Sequence, residues 1–112
     1  MSNHSIVIPV DDLATATALY TTAFGVEPHT DTPYYVGFSV GGQEIGLNPQ
    51  GAADQMTGPV VYWDTDDLAA KVAEVEAAGG TVVRPVSEVG GGTSLALLTD
   101  PAGNQVGFIS QG

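Results

Sequence analysis

The sequence contains no cysteine. Disulfide bonds, thiolate metal sites and thiol catalysis are therefore excluded. It also has no apolar run of the roughly 18 residues that a membrane-spanning helix needs. Met1–His4 carries no basic residue, and the apolar stretch that follows is no longer than a strand, so we expect no signal peptide. These absences predict a cytoplasmic protein that does not bind a membrane.

Basic side chains are almost absent as well. Lys71 and Arg84 stand against 13 Asp and Glu residues, which gives a formal net charge of −11. Such a charge repels nucleic acids and anionic membrane surfaces, so neither is expected as a partner. Two interpretations of the acidity stay open. It can serve solubility or adaptation to the host, or part of it can attract a cationic ligand.

The chain repeats itself. Asp11-Asp12-Leu13-Ala14 recurs 55 residues later as Asp66-Asp67-Leu68-Ala69, and Gly42–Leu47 recurs 61 residues later as Gly103–Phe108. The second copy is longer between these blocks, and Gly90-Gly91-Gly92 is a loop that can hold the difference. We therefore predict two tandem modules, 3–51 and 58–112, in a single domain spanning 1–112, because no linker separates them.

Each module is expected to contain a strand, a helix and three further strands. In the first module a strand at Ser5–Val10 precedes a helix at Leu13–Phe24, which Asp12 caps and Gly25 ends. The remaining strands are expected near Val26–Thr30, Tyr34–Val40 and Gln43–Asn48. In the second module a helix runs from Leu68 to Gly79, with strands near Thr81–Pro85, Thr93–Thr99 and Gln105–Ile109. The predicted fold class is α+β: two tandem βαβββ modules that form a curved mixed sheet around a cavity, with helices on the outer face.

Strand parity assigns the side chains to two faces. Ile6, Ile8 and Val10 alternate onto the helix-covered face, and Trp63 does the same in the second module. The opposite face is aromatic, polar and rich in glycine, which favours a ligand site. The predicted ligand-binding residues are Ser5, Val7, Tyr35, Ser39, Glu44, Asn48, Tyr62, Asp64 and Gln105. A solvated sheet face without a ligand is the alternative interpretation.

The two Asp-Asp-Leu helix starts and the turn Asp100-Pro101-Ala102-Gly103-Asn104 carry a resemblance to a known family. Over nearly its whole length the chain resembles the vicinal-oxygen-chelate superfamily, which includes glyoxalase I, extradiol dioxygenases and bleomycin-resistance proteins. Members bind a divalent metal with His and Glu side chains. The resemblance places those ligand positions at Ser5, Gly46, Val60 and Gly107. Glycine and valine have no donor atom, so we expect no metal at these positions and no cofactor.

Few other side chains carry chemistry. His4 lies next to the first ligand position, but the strand pattern turns it away from that face. We interpret His29 as a surface or rim residue. Glu44 and Asp64 are catalytic candidates, because burial would raise the pKa of a carboxylate toward neutrality. At an exposed edge they would be ordinary solvated acids.

The preferred hypothesis is a metal-free small-molecule binding protein. It would resemble the bleomycin-resistance branch and sequester a cationic or aromatic metabolite or antibiotic, and so confer antibiotic resistance. The alternative is a diverged lyase, isomerase or hydrolase that uses Glu44 or Asp64. A regulatory subunit without a small ligand is a third possibility. The resemblance also implies a homodimer.

Overall fold

A computed structural model describes residues 1–111. Within them the secondary structure follows the order βαβββ twice, which confirms the predicted α+β class. The elements are β1 (Asn3–Pro9), α1 (Leu13–Phe24), β2 (Thr30–Asp31), β3 (Val36–Val40), β4 (Gln43–Asn48), β5 (Val60–Asp64), α2 (Leu68–Ala77), β6 (Thr81–Gly90), β7 (Thr93–Thr99) and β8 (Gln105–Gln111). Gly112, the last residue of the predicted second module, lies outside the described residues. Neither helix in residues 1–111 is long and apolar enough to span a membrane.

The chain divides into two compact units. One unit is Ser5–Pro59, and the other combines Met1–His4 with the described residues from Val60 on. The first has the strand order β2-β3-β4-β1, in which β1 is parallel to β4 and the other pairs are antiparallel. The second has the order β5-β8-β7-β6, in which β5 is parallel to β8. Each unit therefore contains a mixed sheet.

Local capping explains why α1 has the predicted bounds. The Asp12 carboxylate accepts a hydrogen bond from the backbone N–H of Thr15 at 3.2 Å. At the other end Gly25 has φ +70°, and its N–H bonds to the carbonyl oxygen of Thr21. A left-handed residue at this position is favourable for glycine and ends the helix. Both helix ends are thus set by residues next to them.

The core of the Ser5–Pro59 unit lies between α1 and the sheet. Val36, Phe38 and Leu47 are fully buried, and the Phe24 ring meets the edge of Phe38 at a centroid distance of 5.6 Å. Val36 pairs with Leu47 across the β3–β4 hairpin, as parity predicts. This register leaves the other side chains of β3 and β4 on the opposite sheet face.

The second strand of this unit is shorter than predicted. We expected Val26–Thr30, whereas β2 covers only Thr30–Asp31. Pro28 has no N–H to donate to a ladder. Beyond β2, the Thr32 hydroxyl accepts hydrogen bonds from the backbone N–H groups of Tyr34 and Tyr35, at 3.2 and 3.0 Å. These bonds form a turn, so β3 begins at Val36 and not at Tyr34.

The second unit has its own core under α2. Leu68, Val72, Ala96, Leu98 and Phe108 are buried there, and Trp63 packs against them as predicted. Asp67 caps α2 by accepting the N–H of Ala70 at 3.0 Å. β6 continues past its predicted end at Pro85, with bulges, as far as Gly90. Gly90-Gly91-Gly92, all with positive φ, connects it to β7.

The Asp100–Asn104 turn is held by one carboxylate. Asp100 Oδ1 accepts the N–H groups of Ala102 and Asn104, each at 2.9 Å, and Oδ2 accepts the Asn104 side-chain amide at 3.1 Å. The side-chain and backbone bonds from Asn104 hold the pKa of Asp100 below its usual range. The Asp100–Asn104 motif is therefore a turn between β7 and β8 that its own side chains and backbone stabilise.

Candidate functional site

A Glu44 carboxylate in β4 holds two side chains of the Ser5–Pro59 unit. Its Oε1 lies 2.6 Å from His29 Nε2. The Tyr35 hydroxyl donates a hydrogen bond to its Oε2, also at 2.6 Å. His29 Nδ1 in turn lies 2.7 Å from Thr30 Oγ1. We refer to these four residues, His29, Thr30, Tyr35 and Glu44, as the Glu44 cluster.

Two glycines make room for the cluster. Gly37 of β3 pairs with Gly46 of β4, so this part of the sheet face has no side chains of its own. A Cβ added at Gly37 would lie 2.7 Å from Glu44 Oε2 and 2.9 Å from carbons of His29 and Tyr35. Because real Cβ atoms essentially never approach that closely, the cluster rests directly on glycine backbone.

The cluster is partly open to solvent. The side chains of His29 and Glu44 are 45% and 28% exposed. Tyr35 is half-buried, and burial is the largest cause that raises the pKa of its hydroxyl far above the usual range. The hydrogen bond to Glu44 and the negative charge of that carboxylate raise it further. Tyr35 is therefore a neutral donor throughout the physiological pH range.

The positions that the resemblance assigns to metal ligands do not fit a metal. Ser5 and Val60 are buried, and Gly46 and Gly107 provide no donor. The Tyr35 ring lies over Gly46, and in the other unit the Tyr62 ring lies over Gly107, where a Cβ would overlap each ring. Within residues 1–111 no three His, Asp or Glu side chains are close enough together to hold a metal ion. At both glycines a tyrosine ring of the same chain fills the space that a ligand side chain would need.

The other predicted residues of the Ser5–Pro59 unit have varied surroundings. Ser39 is exposed and pairs with Glu44 across the hairpin. Asn48 is engaged by its own loop, because its side-chain amide donates to Asp54 at 2.9 Å and its oxygen accepts the N–H of Gln50. Ser5 is buried and Val7 is partly buried. Of the predicted set in this unit, Tyr35 and Glu44 make a direct contact.

Tyr62, Asp64 and Gln105 belong to the other unit. Tyr62 is 5% exposed, so its ring is buried by neighbouring atoms and offers little surface to a ligand. Asp64 accepts a hydrogen bond from the Ser2 hydroxyl at 2.9 Å. It borders an open pocket of about 700 Å³ together with Asp66, Lys71 and Gln111. Gln105 pairs with Thr99 at the start of β8.

Sequence reasoning missed the role of His29. The sequence predicts a surface or rim residue at His29. The side chain is 45% exposed, and it also contacts Glu44. The backbone N–H of His29 bonds to the carbonyl oxygen of Gly37 at 2.9 Å, which brings the imidazole beside the glycine pair. The sequence predicts a strand at Val26–Thr30, but its pattern does not report the bond to Gly37 that positions His29.

Comparison with known proteins shows the family of this chain. Residues 3–108 match the family described as the Glyoxalase/Bleomycin resistance protein/Dioxygenase superfamily. A search of curated protein sequences finds no match to this chain.

Solved structures share the fold at low sequence identity. A structure from Legionella pneumophila described as an NAD-dependent benzaldehyde dehydrogenase has TM-score 0.81 at 14% identity, covering 99% of this chain and 100% of that one. A superfamily member from Vibrio splendidus 12B01 has TM-score 0.70 at 15% identity, covering 98% and 100%. Streptomyces coelicolor methylmalonyl-CoA epimerase (S115T), in complex with 2-nitronate-propionyl-CoA, has TM-score 0.69 at 16% identity, covering 99% and 94%.

Proposed function

Because this chain belongs to the glyoxalase/bleomycin resistance protein/dioxygenase superfamily, we propose that it is a metal-independent small-molecule binding protein. It holds a cationic or aromatic metabolite or antibiotic at the Glu44 cluster. One observation carries the proposal: the Glu44 carboxylate is fixed through both oxygens by His29 and Tyr35 and is still partly exposed.

A carboxylate held in this way is suited to recognition. Each Glu44 oxygen accepts one hydrogen bond in the cluster and keeps a further lone pair. A positively charged ligand group can use it in a charge-assisted hydrogen bond, which is stronger than a neutral one. Since the side chain is already ordered, binding costs less rotamer entropy than it would at a mobile surface acid.

Aromatic surface beside the cluster favours the same class of ligand. Tyr35 presents a half-buried ring next to Glu44, and its neighbour Tyr34 is 74% exposed. A cation placed over a tyrosine ring is attracted by the negative face of the π system. A ligand that carries both an aromatic ring and a positive charge therefore matches the available contacts.

The charge of the whole chain supports a cation. A net charge of −11 attracts cations and opposes polyanions at long range. It disfavours a ligand with several phosphates, such as the CoA ester in the Streptomyces structure. This is the reason to prefer binding of an organic cation over chemistry on a CoA thioester.

The binding proposal is tested by calorimetry with a panel of cationic aromatic compounds and neutral analogues of the same size. We expect the cations to bind more tightly and the Glu44→Gln variant to lose at least tenfold in affinity. Glu76→Gln on α2 is the matched control, because it removes one negative charge from an exposed site far along the sequence from the cluster. The proposal is wrong if no compound binds, or if the two variants lose affinity equally.

A second candidate function is proton transfer. Thr30, His29, Glu44 and Tyr35 form a continuous line of hydrogen bonds between 2.6 and 2.7 Å long. Such a line can move a proton away from a carboxylate that has taken one from a substrate carbon. In this candidate Glu44 removes a proton next to a carbonyl group, and a proton from solvent later returns to the same carbon.

Deuterium exchange distinguishes this candidate from simple binding. If Glu44 acts as a base, the protein would accelerate the uptake of deuterium next to the thioester carbonyl of methylmalonyl-CoA in D2O. The Glu44→Gln variant would then exchange at the uncatalysed rate, and Glu76→Gln would behave as the wild type. A wild-type exchange rate no faster than the uncatalysed rate excludes this substrate class.

We further propose that the protein is a cytoplasmic homodimer that associates through α1. The outer face of α1 exposes Ala14, Ala18, Leu19 and Thr22, and no charged residue occurs in the helix. Two copies with a net charge of −11 repel elsewhere, so an uncharged face is the favourable contact. Light scattering should show that Ala18→Glu produces monomers, whereas Ala73→Glu, the repeat-related exposed position on α2, does not. A monomeric wild type would contradict this assembly.

A further inference from the structure

His29 contacts Glu44 through Nε2 and forms an ion pair with it only when the imidazole carries a proton on both nitrogens. We infer that His29 makes binding at the Glu44 cluster competitive with a proton. An organic monocation binds while His29 is neutral and is released when the imidazole takes up a proton. This inference rests on the proposed binding function and adds the regulation of the same site.

Uptake of a single proton by His29 changes how the cluster acts on a cationic ligand. When His29 is neutral, its Nε2–H donates to Glu44, and the carboxylate keeps its negative charge available to a ligand. When His29 is protonated, a positive charge lies 2.6 Å from Glu44 Oε1 and compensates that charge locally. A cationic ligand would then meet a pair with no net charge, in which the imidazolium repels it.

The groups around His29 are a carboxylate, a hydroxyl and a phenol. From β4 the imidazole meets Glu44, and from β2 the Thr30 hydroxyl, which does not titrate. The Tyr35 ring, from the segment before β3, lies with the imidazole over Gly37. Tyr35 stays protonated, since its hydroxyl is half-buried and donates to Glu44. Along the chain, Glu27 and Asp31 are exposed acids within two residues of His29.

The exposure of His29 and Glu44 lets both the proton and the ligand reach the cluster. The His29 side chain is 45% exposed and Glu44 is 28% exposed, so neither proton exchange nor ligand access requires the fold to open. Competition between one proton and one ligand fixes how the association constant depends on pH. Where the ligand-free protein holds the competing proton, the apparent association constant falls tenfold per pH unit, and each ligand bound releases one proton, because the linkage is reciprocal.

The probe for this test is benzyltrimethylammonium, since its charge does not change with pH. Its association constant is measured calorimetrically across a pH series, in buffers with different heats of ionisation, so that the proton count is obtained with the affinity. Benzyl alcohol serves as the neutral comparison. We expect the logarithm of the wild-type association constant to rise with pH with a slope near one and then level off, with one proton released on the sloping part.

The chain has two histidines, which provides a matched pair of variants. His29→Gln keeps an amide that can donate to Glu44 but does not titrate, so its affinity should be independent of pH. His4→Gln should retain the wild-type slope. The wild-type slope and proton count need no variant, so the test does not depend on the folding of His29→Gln.

The outcomes separate this inference from the function on which it rests. Binding of benzyltrimethylammonium with no pH dependence overturns the proton competition and leaves the binding function in place. A slope that persists in His29→Gln also overturns it, whatever His4→Gln shows. No binding at any pH overturns the proposed function itself.

Discussion

The Tyr35 ring lies across the backbone of Gly46, and a Cβ at position 46 would come within 2.6 Å of the Tyr35 hydroxyl oxygen. The same hydroxyl donates to Glu44. Glycine at 46 and the position of the Glu44 carboxylate are therefore parts of one arrangement. Where the family resemblance places a metal ligand, this chain has a cross-strand contact between a ring and a glycine.

Gly46→Ala should both destabilise the protein and displace Tyr35 from the Glu44 cluster. The added methyl group overlaps the Tyr35 ring, which must turn away from Glu44. Overpacking of this kind costs about 1–3 kcal/mol in the free energy of unfolding. Urea unfolding measures that loss, and ligand affinity should fall with it if the Glu44 cluster is the binding site.

Gly58→Ala is the matched control for this variant. A Cβ at Gly58 meets nothing within 4 Å, and its backbone is outside the left-handed region. We expect it to be neutral, or more stable by about 0.4–1 kcal/mol through the entropy of the unfolded chain. If Gly46→Ala were as stable as Gly58→Ala, the close packing of Tyr35 on the sheet would be refuted.

Gly107→Ala should have the larger effect of the two repeat-related glycine variants. Its Cβ would overlap the Tyr62 ring. Tyr62 is 5% exposed, so the ring has no solvent-filled space into which it can turn, whereas Tyr35 is only half-buried. We expect a loss at the upper end of the overpacking range, about 3 kcal/mol, by urea unfolding. Equal losses at the two positions would show that burial of the ring does not decide the cost.

Local signals explain how much of this fold was predictable. The bounds of α1 were correct because Asp12 and Gly25, which set its ends, adjoin the helix in the sequence. The bounds of β4 were correct because Gly41-Gly42, with positive φ, fixes the hairpin register. Strand parity alone placed Tyr35 and Glu44 on one face, and they are in contact.

The remainder of the site depended on contacts that no local pattern reports. β2 consists of two residues, since Pro28 precedes it and the Thr32 hydroxyl engages the backbone after it. The position of His29 follows from that short ladder and from its bond to Gly37. Parity likewise predicted an accessible Tyr62, but it does not report how deeply a sheet face is covered.

Tyr35 should be the tyrosine whose ionisation is suppressed to high pH. Burial raises its pKa most, followed by the hydrogen bond to Glu44 and the charge of that carboxylate. In an ultraviolet titration of tyrosinate, Tyr35→Phe should remove a component that titrates well above pH 10. Glu44→Gln should move that component to lower pH without restoring the ordinary value, because burial remains.

The same shift gives the direction of the stability change at alkaline pH. The pKa of Tyr35 is higher in the folded state than in the unfolded chain, so the unfolded chain loses its proton first. The stabilising contribution is complete below the ordinary tyrosine pKa of 10.0 and is lost as the pH rises toward the folded-state value. The wild type should therefore lose more stability above pH 10 than Tyr35→Phe does.

Asp12 should stabilise α1 by an amount that disappears in acid. Its carboxylate accepts the N–H of Thr15, and this backbone bond, followed by the Thr15 hydroxyl, holds the pKa of Asp12 below its usual range. A lowered folded-state pKa means that the contribution is present above the ordinary aspartate pKa and is lost as the pH falls through the folded-state value. Asp12→Ala should therefore lower the thermal midpoint at neutral pH, and the difference from wild type should shrink as the solution is acidified.

Asp11→Ala is the control for this variant. Asp11 is exposed and precedes the cap, so its removal should leave the thermal midpoint nearly unchanged at neutral and at acidic pH. If Asp11→Ala and Asp12→Ala lowered the midpoint equally, the effect would come from net charge and not from the helix cap.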